Sequence, residues 1–393
     1  MQTNLLLLTL GEKPTMRHFA PLLLVLSLLL SCGTPPPPPA SFVATLGNDT
    51  LVIEQFIMQP EQVDAEVLIR TPRTRYIKQT LQRDSDGSFR SFSAATYDPA
   101  NLAADPIETQ TITVVGDSLV YTSRRDTAER IRSYAHKPSI IPWFDMVHWP
   151  YEVATRQMTK EGAEEREQLM LTGRNVATFE IRSIAEDSVS IKHPYRGTMY
   201  ARIDEHGAIE YYDATATTRK LIVKRGGPLD MIALAKKYAD QGIGSLSGEG
   251  ETESTVHGAN ITLTFGQPAR RGRELFGNIV PWNERWRTGA NRATHFKTDK
   301  DLKFGELEAP AGEYTLFTIP APDGGTLIIN KQTGQNGNSY DESQDLGRVP
   351  MKLVENDTSV ELFTIEASER GDRGVLQLKW GETIFEVDFE VAE

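Results

Sequence analysis

The stretch Thr111-Ile-Thr-Val-Val-Gly-Asp-Ser-Leu-Val-Tyr-Thr-Ser123 decides the fold class. Two runs of strand-forming residues, Thr111 to Val115 and Ser118 to Ser123, are split by Gly116-Asp117, a pair that suits the primed turn of a tight hairpin. Working outward, short alternating segments recur between turn residues from Ser41 to about Asp240. Phe42 to Leu46 leads through Gly47-Asn48-Asp49 into Leu51 to Phe56, and Val63 to Arg70 passes Thr71-Pro72 on the way to Tyr76 to Gln82. Ala177 to Ile184 with Ser188 to His193, and Thr198 to Asp204 with Ala208 to Asp213, give two later pairs. The fold class is therefore all-β, beginning with an antiparallel, barrel-like meander over residues 41–241.

Two segments break the strand pattern. Ser139 to Met158 carries two tryptophans and two prolines, with Trp143, Phe144, Val147 and Tyr151 at helical spacing. Pro142 and Pro150 limit or kink any helix there. A helical plug across one end of the meander is expected, either covering the core or walling an apolar ligand cavity. The second is Pro228 to Asp240, a short helix with proline at its first position that closes the first domain. Residues 242–254 follow, glycine-rich, polar and acidic, and are expected to be a linker.

From residue 255 to 393 the strands resume. Ala259 to Phe265, His295 to Thr298, Glu313 to Pro320, Thr326 to Lys331, Ser359 to Ala367, Val375 to Trp380 and Thr383 to Val391 have the spacing of a C-terminal β-sandwich. A chain of 393 residues is too long for one core, so two domains and an anchor are expected. A formal charge of −12 leaves no electropositive footprint for a phosphate backbone, so nucleic acid is not an expected partner.

The single cysteine excludes an intramolecular disulfide, a multi-cysteine zinc site and an iron–sulfur cluster. Arg17 precedes an apolar run, Leu22 to Leu30, too short to span a bilayer and suited to the core of a signal peptide. The run ends in Leu29-Leu30-Ser31-Cys32, which resembles the bacterial lipobox. On that resemblance residues 1–31 are a signal peptide, and Cys32 is lipidated and becomes the mature N-terminus. Met16 is the more natural start, since it leaves a short basic region before the apolar run. Pro35 to Pro39 then favours extended polyproline II, so residues 32–40 form a stiff tether to the membrane.

Chemistry-bearing residues concentrate in Val280 to Thr294, with Trp282, Trp286, Arg287 and Asn291, followed by His295. Arginine forks, an amide and flat aromatic faces suit a carboxylate or a sugar. The alternative is a tight turn at Thr288-Gly289-Ala290-Asn291 with the tryptophans in the core. Phosphate-loop, nucleophile-elbow and His-Glu-x-x-His motifs are missing, and the seven histidines never sit at ligand spacing, so no cofactor and no metal are expected. Glu164-Glu165 and Asp299 with Asp301 read as solvated pairs, although a glycosidase can use two remote carboxylates.

The second half also resembles a known family. Thr264-Phe-Gly-Gln-Pro268, Arg271-Gly-Arg273, Leu275-Phe-Gly277, Val280-Pro-Trp282, Trp286-Arg-Thr-Gly-Ala-Asn291 and Pro310-Ala-Gly-Glu-Tyr-Thr-Leu-Phe-Thr-Ile-Pro320 are similar to the family catalogued as domain of unknown function 2911. The resemblance covers Thr255 to Glu393 and implies a domain boundary and a cell-envelope setting, not a mechanism. The loop Gly334 to Tyr340 departs from it, being mainly polar where relatives often have a tryptophan. The expected function is that of a non-enzymatic envelope lipoprotein binding a small apolar or glycan ligand or an envelope partner. The alternative is a carbohydrate-active or other hydrolase with its site near Arg287, Asn291 and His295.

Overall fold

The computed structural model describes residues 37–392. The signal peptide, Cys32 and the first prolines of the tether lie outside the described residues. The described part is strand-built in two large sheets, with helices α1 (Trp149–Glu161) and α2 (Met231–Tyr238). Neither helix is long and apolar enough to cross a membrane.

The diagnostic hairpin forms as expected: Glu108–Val115 pairs with Ser118–Arg125, Val115 stands opposite Ser118, and Gly116 takes φ 57°. It belongs to a sheet of 15 strands. Ala40–Leu46 lies at its middle, with Asp49–Met58 on one side and Ile222–Gly226 on the other. The chain meanders outward to Ala128–Ala135 at one edge, crosses to Ile141–Pro142 at the opposite edge, and returns strand by strand to the middle. All pairings are antiparallel except Ile141–Pro142 beside Glu165–Leu171. The sheet curls without closing through its backbone. Instead, Arg132 and Tyr134 on the first edge donate to the Gly173 carbonyl near the other, at 2.8 and 3.2 Å.

Helix α1 fills the interior of this curl. It begins later than the spacing suggests, because Trp143 to Val147 is a loop in which Met146 takes φ 66°. Pro142 sits in the short edge strand, and Pro150 occupies the first helical turn, where its missing N–H is not needed. Trp149, Tyr151, Val153, Ala154 and Met158 are buried against Phe56, Phe179 and Tyr212 from the sheet. The cavity beside Tyr151 and Tyr212 in this interior is only about 30 Å³, so the aromatic side chains around the start of the helix pack closely. Gly207 permits the close approach, since a Cβ there would lie 2.7 Å from the Thr155 carbonyl oxygen.

Helix α1 has no side-chain cap of its own. Glu54, on the strand Asp49–Met58, supplies one from across the core: its carboxylate accepts from His148 N at 2.9 Å, Trp149 N at 3.1 Å and His148 Nδ1 at 2.7 Å. A carboxylate there satisfies orphan amides and meets the positive end of the helix dipole. The second helix is shorter than Pro228 to Asp240. It starts after Asp230, whose carboxylate caps Ala233 N at 2.9 Å. Met231 and Ala235 bury its one apolar stripe on Ile53, Leu68 and Tyr76, on the other face of the sheet. With α1 on one face and α2 on the other, the strand Asp49–Met58 is buried on both, and its run Leu51 to Ile53 does not alternate.

The expected linker is mostly strand. Ser247–Val256 pairs residue for residue with Ala259–Pro268. Its glutamates Glu249, Glu251 and Glu253 face outward in strict alternation, and Gly250 faces in, where a Cβ would lie 2.4 Å from the Phe265 ring. An acidic, glycine-rich composition thus hides a period of two. The connection contracts to residues 242–246, and it is docked: Ile243 N donates to Arg70 O at 2.8 Å, Gly244 N to Pro72 O at 3.0 Å, and Thr71 Oγ1 to Gly244 O at 2.8 Å.

The second sheet has nine strands, folded around a core that includes Phe265, Phe296, Phe363, Trp380 and Phe385. The long strand Asp345–Arg370 breaks register between Glu355 and Thr364, and Thr252 Oγ1 of the first strand donates to Ile365 O at 2.7 Å, tying the sheet across its own core. Val375 to Trp380 and Thr383 to Val391 form one strand, Arg373–Val391, that passes through Gly381 at φ 59°.

Candidate functional site

Where the two sheets meet, the chain leaves a cleft of about 660 Å³. One seam beside it is fixed by Asn48 N donating to Arg271 O at 2.9 Å and by an ion pair between Arg271 and Asp49. The first sheet contributes Thr71, Pro72, Arg75, Asp145, Arg219 and Lys220 to the walls. The second contributes Arg273, Ile279, Arg285, Trp286, Arg287, Asn291 and Trp380, and the connection adds Ser245 and Leu246.

The predicted aromatic and polar cluster is split by the fold. Trp286 lines the cleft, and its ring lies 6.1 Å from Trp380 at 7° and 5.1 Å from Phe363, edge-on. Its amide and carbonyl pair with Thr318 at 2.7 and 2.9 Å, so the indole forms the cleft floor and also the rim of the second core. Arg287 also lines the cleft and donates to Asn338 Oδ1 at 2.7 Å. Asn291 lies on the wall at φ 62°, and its carbonyl accepts from Gly337 N at 3.2 Å. The tight turn is real too: Thr288 and Gly289 have positive φ, and a Cβ on Gly266 would lie 1.6 Å from the Ala290 oxygen.

Trp282 and His295 stand apart. Trp282 stacks on Phe276 at 5.5 Å and does not line the cleft. His295 lies on the strand Thr294–Thr298 with its Nδ1 3.6 Å from Glu313 Oε1, also off the cleft. The arrangement imagined for hydrolysis, with Arg287, Asn291 and His295 converging beside a carboxylate, is not assembled. Among the described residues, no group of three or more His, Cys, Asp or Glu side chains is placed to hold a metal ion.

The cleft's most distinctive feature is its charge, which no motif in the sequence announces. Six cations, Arg75, Arg219, Lys220, Arg273, Arg285 and Arg287, line it with one carboxylate, Asp145. Asp145 is engaged by Arg219, whose Nε stands 3.2 Å from Oδ1, and by Arg196. Burial opposes its ionisation, yet the two guanidinium groups hold it below the usual carboxylate range. Burial also lowers Lys220, and the charges of Arg273 and Arg287 lower it further. Arg287 is lowered by burial, and Arg273 by burial and then by Arg271. Arg271-Gly-Arg273 was visible as a motif; Arg75 opens the strand Arg75–Arg83 and Arg219-Lys220 sits in a loop about 145 residues later, so together they leave no local signature.

Comparison with known families gives one match: residues 247–389 fit the model of a family described as a protein of unknown function, DUF2911. The match is confined to the C-terminal region of the chain. The DUF2911 match opens on the first residue of the strand Ser247–Val256, so the misread linker is part of the family domain. Arg273, Arg285, Trp286 and Arg287 fall inside the match, whereas Arg75, Arg219 and Lys220 lie outside it. No curated protein matches. Among solved structures, a DUF1089 family protein from Pseudomonas aeruginosa is 9% identical, with a TM-score of 0.30 over 42% of this chain and 90% of that one. A beta-barrel-like protein of a domain of unknown function, DUF1849, from Brucella abortus is also 9% identical, with a TM-score of 0.30 over 48% of this chain and 96% of that one. Likenesses this distant carry no argument about function.

Proposed function

We propose that the protein is a bacterial envelope lipoprotein that binds a small ligand in the cleft between its two sheets. The observation that carries this reading is the cleft. Its volume of about 660 Å³ falls within the range of about 300–1,000 Å³ typical of small-molecule sites, and such sites favour junctions between domains. Trp286 lines it among polar and charged side chains, and its walls come from both sheets, so the region matching the family model supplies only part of the site. The interior of the first sheet, the other place where a ligand was expected, is occupied by α1. The lipobox at Leu29 to Cys32 and the run Pro35 to Pro39 support a fatty anchor followed by a stiff spacer, which would hold the cleft clear of the headgroups.

Two measurements test this. Cell fractionation should find the full chain with membranes and Cys32→Ala released or unprocessed; continued membrane sedimentation of a processed Cys32→Ala chain removes the anchor. Native mass spectrometry of the detergent-extracted full chain should show a co-purifying small molecule, lost on Trp286→Ala. A ligand retained unchanged by that variant removes the cleft.

A further inference from the structure

Resting on the cleft as the ligand site, we infer that its ligand is a small polyanion, carrying two or more phosphate or carboxylate groups, gripped between cations of both sheets. The chain has 54 acidic and 42 basic residues, so a basic side chain has no shortage of possible partners. Even so, Arg75, Lys220, Arg273, Arg285 and Arg287 have no carboxylate within ion-pair distance among the described residues, although all five line one cleft. Arg219 is the paired exception, held by Asp145.

The unpaired cations are positioned without being neutralised. Arg273 donates to the carbonyls of Arg270 and Ala269, at 2.9 and 2.5 Å, and Arg287 to the amide oxygen of Asn338 at 2.7 Å. The Arg285 guanidinium lies 4.1 Å from the Tyr340 ring centroid. Neutral oxygens and an aromatic face fix where each fork points and leave its charge available, which is what a preorganised anion site requires. Lys220, from the first sheet, feels Arg273 and Arg287 of the second as like charges. Bringing these cations together disfavours folding unless an anion offsets it, and cations on both walls call for more than one anionic group. The partly exposed Trp286 ring beside them, backed by the buried Trp380, suits a ring or a short apolar spine between those groups.

The test is calorimetric titration of the detergent-solubilised full chain with tripolyphosphate, citrate, inorganic phosphate and neutral maltotriose. Tripolyphosphate or citrate should bind at least about tenfold more tightly than inorganic phosphate, and more weakly as salt rises. The preference between them assigns phosphate or carboxylate. Lys220→Ala combined with Arg287→Ala should weaken that binding by at least about tenfold, whereas Arg124→Ala, a surface cation outside the cleft, should not. A thermal midpoint for each variant shows that it is folded. Anion binding that survives the double variant overturns the inference. Maltotriose binding without anion binding overturns it too, while leaving the cleft as the ligand site; failure of all four probes counts against both.

Discussion

The interior of the first sheet and the cleft beside it treat buried charge in opposite ways. Inside, Glu152 is fully buried and meets Arg156 at 2.9 Å and Arg225 at 2.5 Å, and Glu54 meets His148 and the start of α1. Each acid there has a partner that fixes the helix to the sheet. In the cleft, five cations have neighbours that orient them and none that cancels them. The contrast separates two uses of charge: paired groups hold architecture, and on the proposed reading the oriented but unneutralised groups await a ligand.

The sharpest way to break this contrast is to remove a paired acid. Glu54→Ala leaves the amides of His148 and Trp149 and the His148 ring without their acceptor, and should destabilise by about 3–5 kcal/mol, read as a fall in the urea midpoint. Glu54→Gln keeps an acceptor and should lose less. A neutral result for Glu54→Ala would mean that the interior pairs are not structural. Trp286→Ala removes the stack on Trp380 and the contact with Phe363, and should cost about 2–4 kcal/mol while also opening the cleft floor.

A third prediction uses pH. Burial, with a further push from the Arg196 charge, lowers the His193 imidazole to about 4. With its folded value below the usual 6.5, the unfolded chain takes up a proton first as pH falls. The contribution is therefore intact above about pH 6.5 and is lost progressively toward pH 4, by up to about 3 kcal/mol. His193→Gln should flatten this part of the urea-midpoint profile; an unchanged slope would show that His193 is not responsible. The smallest effect is expected in the cleft. Lys220→Ala in the ligand-free protein should change stability by no more than about 0.5 kcal/mol or raise it slightly, because only a long, exposed hydrogen bond to the Thr215 carbonyl is lost and two repulsions are relieved. A large loss there would erase the distinction between the two regions.

Much of the fold was legible because local chemistry and global pairing agree. Gly116-Asp117 demands the hairpin it makes, and the meander follows from repeated turns of that kind. The strand Ser247–Val256 was illegible because its outward glutamates and its glycines imitate a tether in composition, while the alternation that betrays it is carried by small residues such as the inward Gly250. Helix α1 was found but misplaced, since Trp143 to Val147 mimic helical spacing in a loop. Of the site, Trp286, Arg287 and Asn291 could be read because they sit within one short run. Trp282 and His295 belong to the same run of chemistry yet face elsewhere, as packing and strand register, not proximity in sequence, decide direction. The Glu54 cap lies 94 residues from the His148 amide it serves, and the cleft cations come from four separate segments. No periodicity links such positions; only the folded topology does.

The docked connection over residues 242–246 has a mechanical consequence. Ile243 and Gly244 of that short segment are stitched to the Arg70 to Pro72 loop, and the Asp49 and Arg271 side chains are clasped nearby, so a clamshell swing of one half against the other would have to strain these contacts. On the proposed reading, an incoming molecule would then meet a gap already braced by these contacts instead of closing jaws. Stopped-flow association should then be a single exponential with no slow isomerisation step, and the scattering radius of the protein should be the same empty and filled.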